Sequence, residues 1–260
     1  MNKILFLNTD SRGSGIQALA PPDRIKDVFG YPPITAKKWS TIKANIDKLG
    51  VVREVSTLVG INGDKFENIE NRFIFNEHYQ ELDVLVVDTV DGIYWAIKEY
   101  LLDGKDKASR DVWDRMLNIS VQYFDRFGGM GIPVIMNCHE RGDSKGDLDV
   151  IQPFLQGSFK DQLGNYFDVI LYTRKYKQPS GKVIFKWQVV PDSSRDCRAT
   201  EKLYEYAVSQ GGEIPQDYGL LFKHIGIENP KILVIGSYGS GKTTSLRTLK
   251  NVTFNGNGKH

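Results

Sequence analysis

The stretch PKILVIGSYGSGKTTSLRTLKN, Pro230 to Asn251, decides how the rest of the chain is read. It opens with an unbroken apolar run, Ile232 to Ile235, which suits a strand buried on both faces. The run passes directly into Gly236-Ser-Tyr-Gly-Ser-Gly241-Lys242-Thr243, which has the spacing G-x-x-x-x-G-K-[ST]. Gly236, Gly239 and Gly241 let backbone N–H groups curl around an anion without Cβ clashes. The segment after them, TTSLRTLK, reads as a helix whose N-terminus would face the same anion. Lys242 reaches toward β- and γ-phosphates in such a loop, and the Thr243 hydroxyl ligates Mg²⁺. Ser237, Ser240 and Thr244 complete the expected nucleotide-binding segment. The bland alternative is a Gly/Ser-rich loop that happens to precede Lys-Thr, and the strand before and helix after weigh against it.

A phosphate-binding loop needs an acid on a nearby strand to hold the metal. DVLVVD, Asp83 to Asp88, supplies four apolar residues and a terminal carboxylate. Asp88 is therefore the expected second metal position, directly or through water. The competing role is a helix cap, because a helical pattern starts near Thr89 or Asp91.

Working outward, the other apolar runs are KILFLNT at the start, GIPVIMNCHE, FDVILYT and KVIFKWQVV. KQPSG before the last of these reads as a hairpin turn. Trp39, Ile42, Ile46 and Leu49 recur at steps of three and four, predicting a helix closed by Gly50. Helical patterns also cover Gly92–Leu102 and Ser109–Phe127, and ATEKLYEYAVSQGG is a helix stopped by glycines. Buried strands alternating with helices predict an α/β fold with a mostly parallel sheet covered on both faces. In such sheets ligands bind beyond the carboxyl ends of the strands. No linker separates two cores, so residues 1–260 read as one domain.

A loop of this kind normally follows the first strand of its fold. Here the other strands precede it, and few residues follow. Circular permutation resolves this: SLRTLKNVTF would lead back in space to MNKILFLNTD, and the former termini would be fused near residues 215–230. Permutation is tolerable because chain ends are often close and at the surface.

In permuted order the chain resembles the RecA-like P-loop ATPases, most closely the phage nucleotide-binding proteins of the AAA type. The resemblance runs through KILVIGSYGSGKTT, KILFLNTDSRG, LDVLVVDTVDGIY, GIPVIMNCHE, PFLQGSFKDQLGNYFDVILYTRK and PDSSRDCRAT. It implies a three-layer α/β/α fold, ATP with Mg²⁺, and assembly into a ring or filament acting on single-stranded DNA in phage recombination. The setting it implies is the cytoplasm of an infected bacterial host. By the same resemblance Asp10, at the end of LNTD, activates the attacking water, although many members carry Glu there. His139 or Asn137 senses the γ-phosphate, and Arg195 or Arg198 serves as a basic finger from a neighbouring subunit. Each has an ordinary structural alternative. Asp10 caps a turn, His139 is a core histidine, and the arginines pair with Asp192 or Asp196.

Composition is compatible with this and narrows little else. Net charge is +2, so no global field announces nucleic acid. Arg174, Lys175 and Lys177 mix with Tyr172 and Tyr176 in a way that suits single-stranded nucleic acid, or equally a charged sheet edge. The two cysteines, Cys138 and Cys197, suggest a reduced intracellular setting rather than a disulfide framework. No apolar run has the length of a membrane helix. Two other functions stay open. One is a small-molecule or nucleoside kinase, with the Asp10–Arg12 loop as a makeshift lid. The other is a non-catalytic, nucleotide-gated binding module in phage assembly. A GTPase is less attractive, since N/T-K-x-D is missing.

Overall fold

The computed structural model describes residues 2–10, 19–20, 24–61, 64–145, 148–155 and 159–254. The first half of the chain contains β1 (Ile4–Asn8), α1 (Ile25–Phe29), β2 (Ile34–Thr35), α2 (Trp39–Leu49), β3 (Gly50–Ile61) and β4 (Asp64–Phe75). Next come β5 (Val84–Asp88), α3 (Val90–Leu102), α4 (Arg110–Gly128), β6 (Val134–Lys145), β7 (Leu148–Pro153) and α5 (Phe159–Gln162). The last third holds β8 (Val169–Lys177), β9 (Val183–Gln188), α6 (Glu201–Ser209), β10 (Glu213–Pro215), α7 (Tyr218–Ile225), β11 (Lys231–Gly236) and α8 (Lys242–Ser245).

The main sheet has the order β10-β9-β8-β11-β6-β5-β1-β2, with β7 folded back on the far half of β6. From β8 to β2 every neighbouring pair is parallel, and β9, β10 and β7 are antiparallel additions. The expected mostly parallel α/β sheet is thus present. Its strands alternate between two apolar clusters, because successive side chains of a strand point to opposite faces. Leu5, Leu85, Leu233 and Tyr172 join one cluster with α2, α3 and α4. Phe6, Val86, Val234 and Leu171 join the other with α1, α6 and α7. A fully buried side chain of this size contributes roughly 1.5–3 kcal/mol relative to exposure, so the run of buried strands fixes where each strand end lies.

Local chemistry explains most element ends. Thr89 caps α3 by accepting from the Gly92 N–H, and Ser109 caps α4 by accepting from Val112. The KQPSG turn closes the β8–β9 hairpin, with Gly181 at φ +80°. One expectation is met and one needs correction. Gly50 closes α2 as expected, and with φ 166° it is extended backbone that opens β3 directly. It is small because a Cβ there would lie 2.1 Å from the Ile74 oxygen of β4. The helix after the glycine loop is shorter than TTSLRTLK suggested. α8 has four residues and gives way to 3₁₀ turns over Leu246–Asn251. The Ser245 hydroxyl donates to the Lys242 carbonyl at 2.6 Å and the Thr248 hydroxyl to Ser245 at 2.8 Å. Such local bonds compete with regular helix.

Among the described residues no helix is long and apolar enough to cross a membrane. The DSRGSG loop, including Arg12, lies mostly outside the described residues, as do Gln156–Ser158 and the tail after Phe254.

Candidate functional site

The parallel register brings polar residues from four strands to one edge. Asn8 pairs with Asp88, Asp88 with Asn137, and Gly236 with His139. The glycine loop leaves β11 at this edge. Gly236 is required there, because a Cβ would lie 2.7 Å from both the Ser240 hydroxyl and the Thr173 Cβ. Gly241 has φ +85°, in the left-handed region that suits glycine, and turns the chain into α8.

Asp88 and Thr243 meet here. The Thr243 hydroxyl donates to Asp88 Oδ2 at 2.9 Å, and the Asn137 amide donates to Asp88 Oδ1 at 3.1 Å. The Lys242 ammonium is folded onto its own loop, donating to the carbonyls of Gly236 at 2.7 Å and Ser237 at 3.0 Å. Burial pushes the Asp88 carboxyl above the usual range, against the hydrogen bonds from Asn137 and Thr243 and the nearby Lys242 charge. Burial likewise pushes the Lys242 ammonium down, against the neighbouring carboxylates. An anion arriving at Lys242 and a cation at Asp88 would each favour the charged form. A cleft of about 210 Å³ is lined by Gly239 to Thr244 on one side and by Asp10, Asp88, Thr89 and His139 on the other.

Asp10 reaches this cleft because its N–H and that of Thr9 both donate to the Asp88 carbonyl, at 3.2 and 2.8 Å. His139 reaches it from the end of the β6–β11 pairing, and the Tyr238 ring stacks on it at 5.2 Å, 6° from parallel. Asp10, Thr89, His139 and Tyr238 also border a second chamber of about 850 Å³, walled by Trp95, Phe154, Glu99 and Glu140.

The remaining sequence candidates lie elsewhere. Arg195 sits in a turn where its N–H and that of Ser194 donate to Asp192 Oδ1, both at 2.8 Å. Arg198 bridges to Ile170 of β8 and lines a separate cavity with Cys197 and Tyr172. Neither borders the phosphate-sized cleft of its own chain. In the basic stretch, Arg174 lies 3.8 Å from Glu213 and 3.9 Å from Asp192, and the Tyr176 hydroxyl also donates to Glu213. Lys175 and Lys177 point outward.

Sequence reasoning missed Asp91 as a site residue and read it only as part of a helix start. Its Oδ1 accepts from the His139 N–H at 3.0 Å, and its Oδ2 faces His139 Nδ1 at 2.9 Å. The signal lay in DTVDG, where a second acid follows the strand-ending one. Among the described residues no group of three or more His, Cys, Asp or Glu side chains is placed to hold a metal by itself. The donor set at the loop, one carboxylate and one hydroxyl, is of the kind that holds Mg²⁺ together with phosphate oxygens and water.

Comparison with protein-family models, with curated proteins and with solved structures finds no match to this chain.

Proposed function

We propose that this chain binds and hydrolyses ATP with Mg²⁺, as a RecA-like P-loop protein in circularly permuted order. The observation that carries the reading is the Thr243–Asp88 contact beside a cleft lined by Gly239 to Thr244. Lys242 and the loop amides would hold the phosphates, Thr243 and Asp88 the metal, and Asp10 or His139 would act on the water. Mg²⁺, when bound, would neutralise charge on the β- and γ-phosphates and fix their geometry.

Two observations are consistent with the permuted order. The glycine-loop strand β11 lies inside the sheet, between β8 and β6, where the first strand of such a fold belongs. The first and last described segments also meet. The Asn2 amide donates to the carbonyls of Leu249 at 3.0 Å and Val252 at 2.5 Å, so the segment after α8 arrives at the start of β1. The former termini would then lie in the connection from β10 through α7 to β11. Work in phage DNA recombination, on single-stranded DNA and as a ring or filament, follows from the resemblance in sequence. Arg195 or Arg198 would act on a neighbouring subunit's cleft in that assembly.

The deciding experiment is phosphate release with ATP and with GTP, with and without single-stranded DNA. Mg²⁺-dependent release that disappears in Lys242→Ala, together with nucleotide binding, is the expected result. Unchanged ATP affinity in Lys242→Ala overturns the site. One observation favours a second reading, a small-molecule kinase. The 850 Å³ chamber opens beside the phosphate cleft, where an acceptor would sit. A phosphorylated acceptor in a substrate screen would select it.

A further inference from the structure

Asp91 is 6% exposed and turns both carboxylate oxygens toward His139. A buried charge persists only when it is paired and hydrogen-bonded. Burial pushes the Asp91 carboxyl up, but the hydrogen bonds from His139, the charge that ring carries whenever it is protonated, and a hydrogen bond from Thr89 outweigh it and hold Asp91 below the usual carboxylate range. An ionised carboxylate has no proton to give, so the hydrogen between Asp91 Oδ2 and His139 Nδ1 belongs to the ring. In the neutral imidazole this leaves Nε2 as a bare acceptor.

The ring is fixed from three directions. Asp91 holds its Nδ1 edge, Tyr238 covers a face, and the His139 backbone N–H is tied to the same carboxylate. The first turn of α3, which carries Asp91, is itself pressed against β1, because Gly92 leaves no room for a Cβ beside the Thr9 oxygen. Such support is what a proton-transfer group needs and what a solvated histidine lacks. His139 borders the phosphate cleft from this fixed position.

We propose that His139 Nε2 is the general base of the reaction and that Asp91 is its positioning residue, in place of Asp10. This deepens the hydrolysis reading and rests on it. The water oxygen bonds to the γ-phosphorus while the bond from that phosphorus to the β–γ bridging oxygen breaks. The bridging electron pair leaves with ADP. The water proton passes to His139 Nε2, giving an imidazolium that Asp91 stabilises without taking the proton, and the ring later releases it to solvent.

The first test reads the tautomer without turnover. In full-length protein labelled with ¹⁵N-histidine, the His139 signals are assigned by their loss in His139→Gln. The expected tautomer of the neutral ring has Nδ1 protonated and Nε2 bare, and Asp91→Asn should disturb it. A wild-type Nε2–H tautomer overturns the proposal. The second test is kinetic. Asp91→Asn should lower kcat by roughly 100-fold with little change in KM, and Asp91→Glu should restore part of it. Thermal unfolding of both variants accompanies the rates, so that a folding defect is recognised. Wild-type kcat in Asp91→Asn, with a large loss in Asp10→Asn, returns the base role to Asp10. If wild-type protein releases no phosphate, the hydrolysis reading fails with the base role. The tautomer result tells that outcome apart from a misplaced ring.

Discussion

Thr243 and Asp88 are 155 residues apart in the chain, yet the threonine hydroxyl donates to the aspartate Oδ2 at 2.9 Å. The contact joins α8, which follows the loop after β11, to the end of β5, although β6 lies between β11 and β5 in the sheet. A hydroxyl at the start of α8 and a carboxylate at the end of β5 thus converge although β11 and β5 do not pair. Removing the hydroxyl while keeping its shape isolates its role. In Thr243→Val, ATP affinity in the presence of Mg²⁺ should fall about 10- to 100-fold, the worth of one hydrogen bond or ligand bond to a charged group. Affinity measured in EDTA should change little. Calorimetric titration under both conditions checks this, and equal losses in both would mean that Thr243 does not serve the metal.

Gly92 makes a second prediction, about packing rather than ligands. A Cβ at this position would lie 2.4 Å from the Thr9 oxygen, which is backbone and cannot swing away. Gly92→Ala should therefore push α3 from the end of β1 and cost about 1–3 kcal/mol, the usual penalty for overpacking. At Gly128, the last residue of α4, an added Cβ would meet nothing within 4 Å. Gly128→Ala should be neutral or stabilising by up to about 1 kcal/mol, because alanine is the better helix former. Urea unfolding of the two variants side by side gives the comparison, and equal midpoints would contradict the crowding at Gly92.

Both thiols should be silent in the folded protein. Cys138 and Cys197 are free and buried. Burial pushes the Cys138 thiol well above its usual value and the Cys197 thiol up to about 12. The thiolate is the reactive form, so at neutral pH neither site is activated. A maleimide should modify the native chain only on the timescale of unfolding and should find two thiols after denaturation. Fast labelling of the native protein would show that one of these sites opens readily.

Much of this was legible because the informative residues are local. The glycine loop, the runs that became β1, β5, β6, β8, β9 and β11, and the α2 periodicity each fit within a few residues. Buried parallel strands advertise themselves as unbroken apolar stretches. The β3–β4 hairpin was not read, although it spans Gly50–Phe75. GVVREVS and IENRFIF mix charge with exposed Val52 and Ile69, so neither an apolar run nor a clean alternation marks them. Asp91 was missed for another reason. Its partner is 48 positions away, and only the β5–β6 register makes them neighbours. The four-residue α8 was overread because helix propensity ignores the Ser245 and Thr248 hydroxyls that draw the backbone into tighter turns.

Lys231 supplies a pH dependence independent of the cleft. It opens β11, and its buried ammonium donates to the carbonyls of Ile132 at 2.8 Å and Asn229 at 3.1 Å. Burial pushes it down to about 8, with Asp168 opposing. The sign follows from proton counting. Above about pH 8 the folded lysine has lost its proton while the unfolded one keeps it up to its ordinary value, so unfolding takes up a proton and stability rises with pH. Near neutral pH both states are protonated and the full cost of burying the charge is in place. Lys231→Met removes the titration, though it leaves two carbonyls without their donor. The stability of the wild type relative to Lys231→Met should therefore rise by roughly 2 kcal/mol between about pH 7.5 and 9.5. Urea midpoints across that range measure it. Parallel curves would mean that the ammonium is better solvated than its position at the base of the sheet implies.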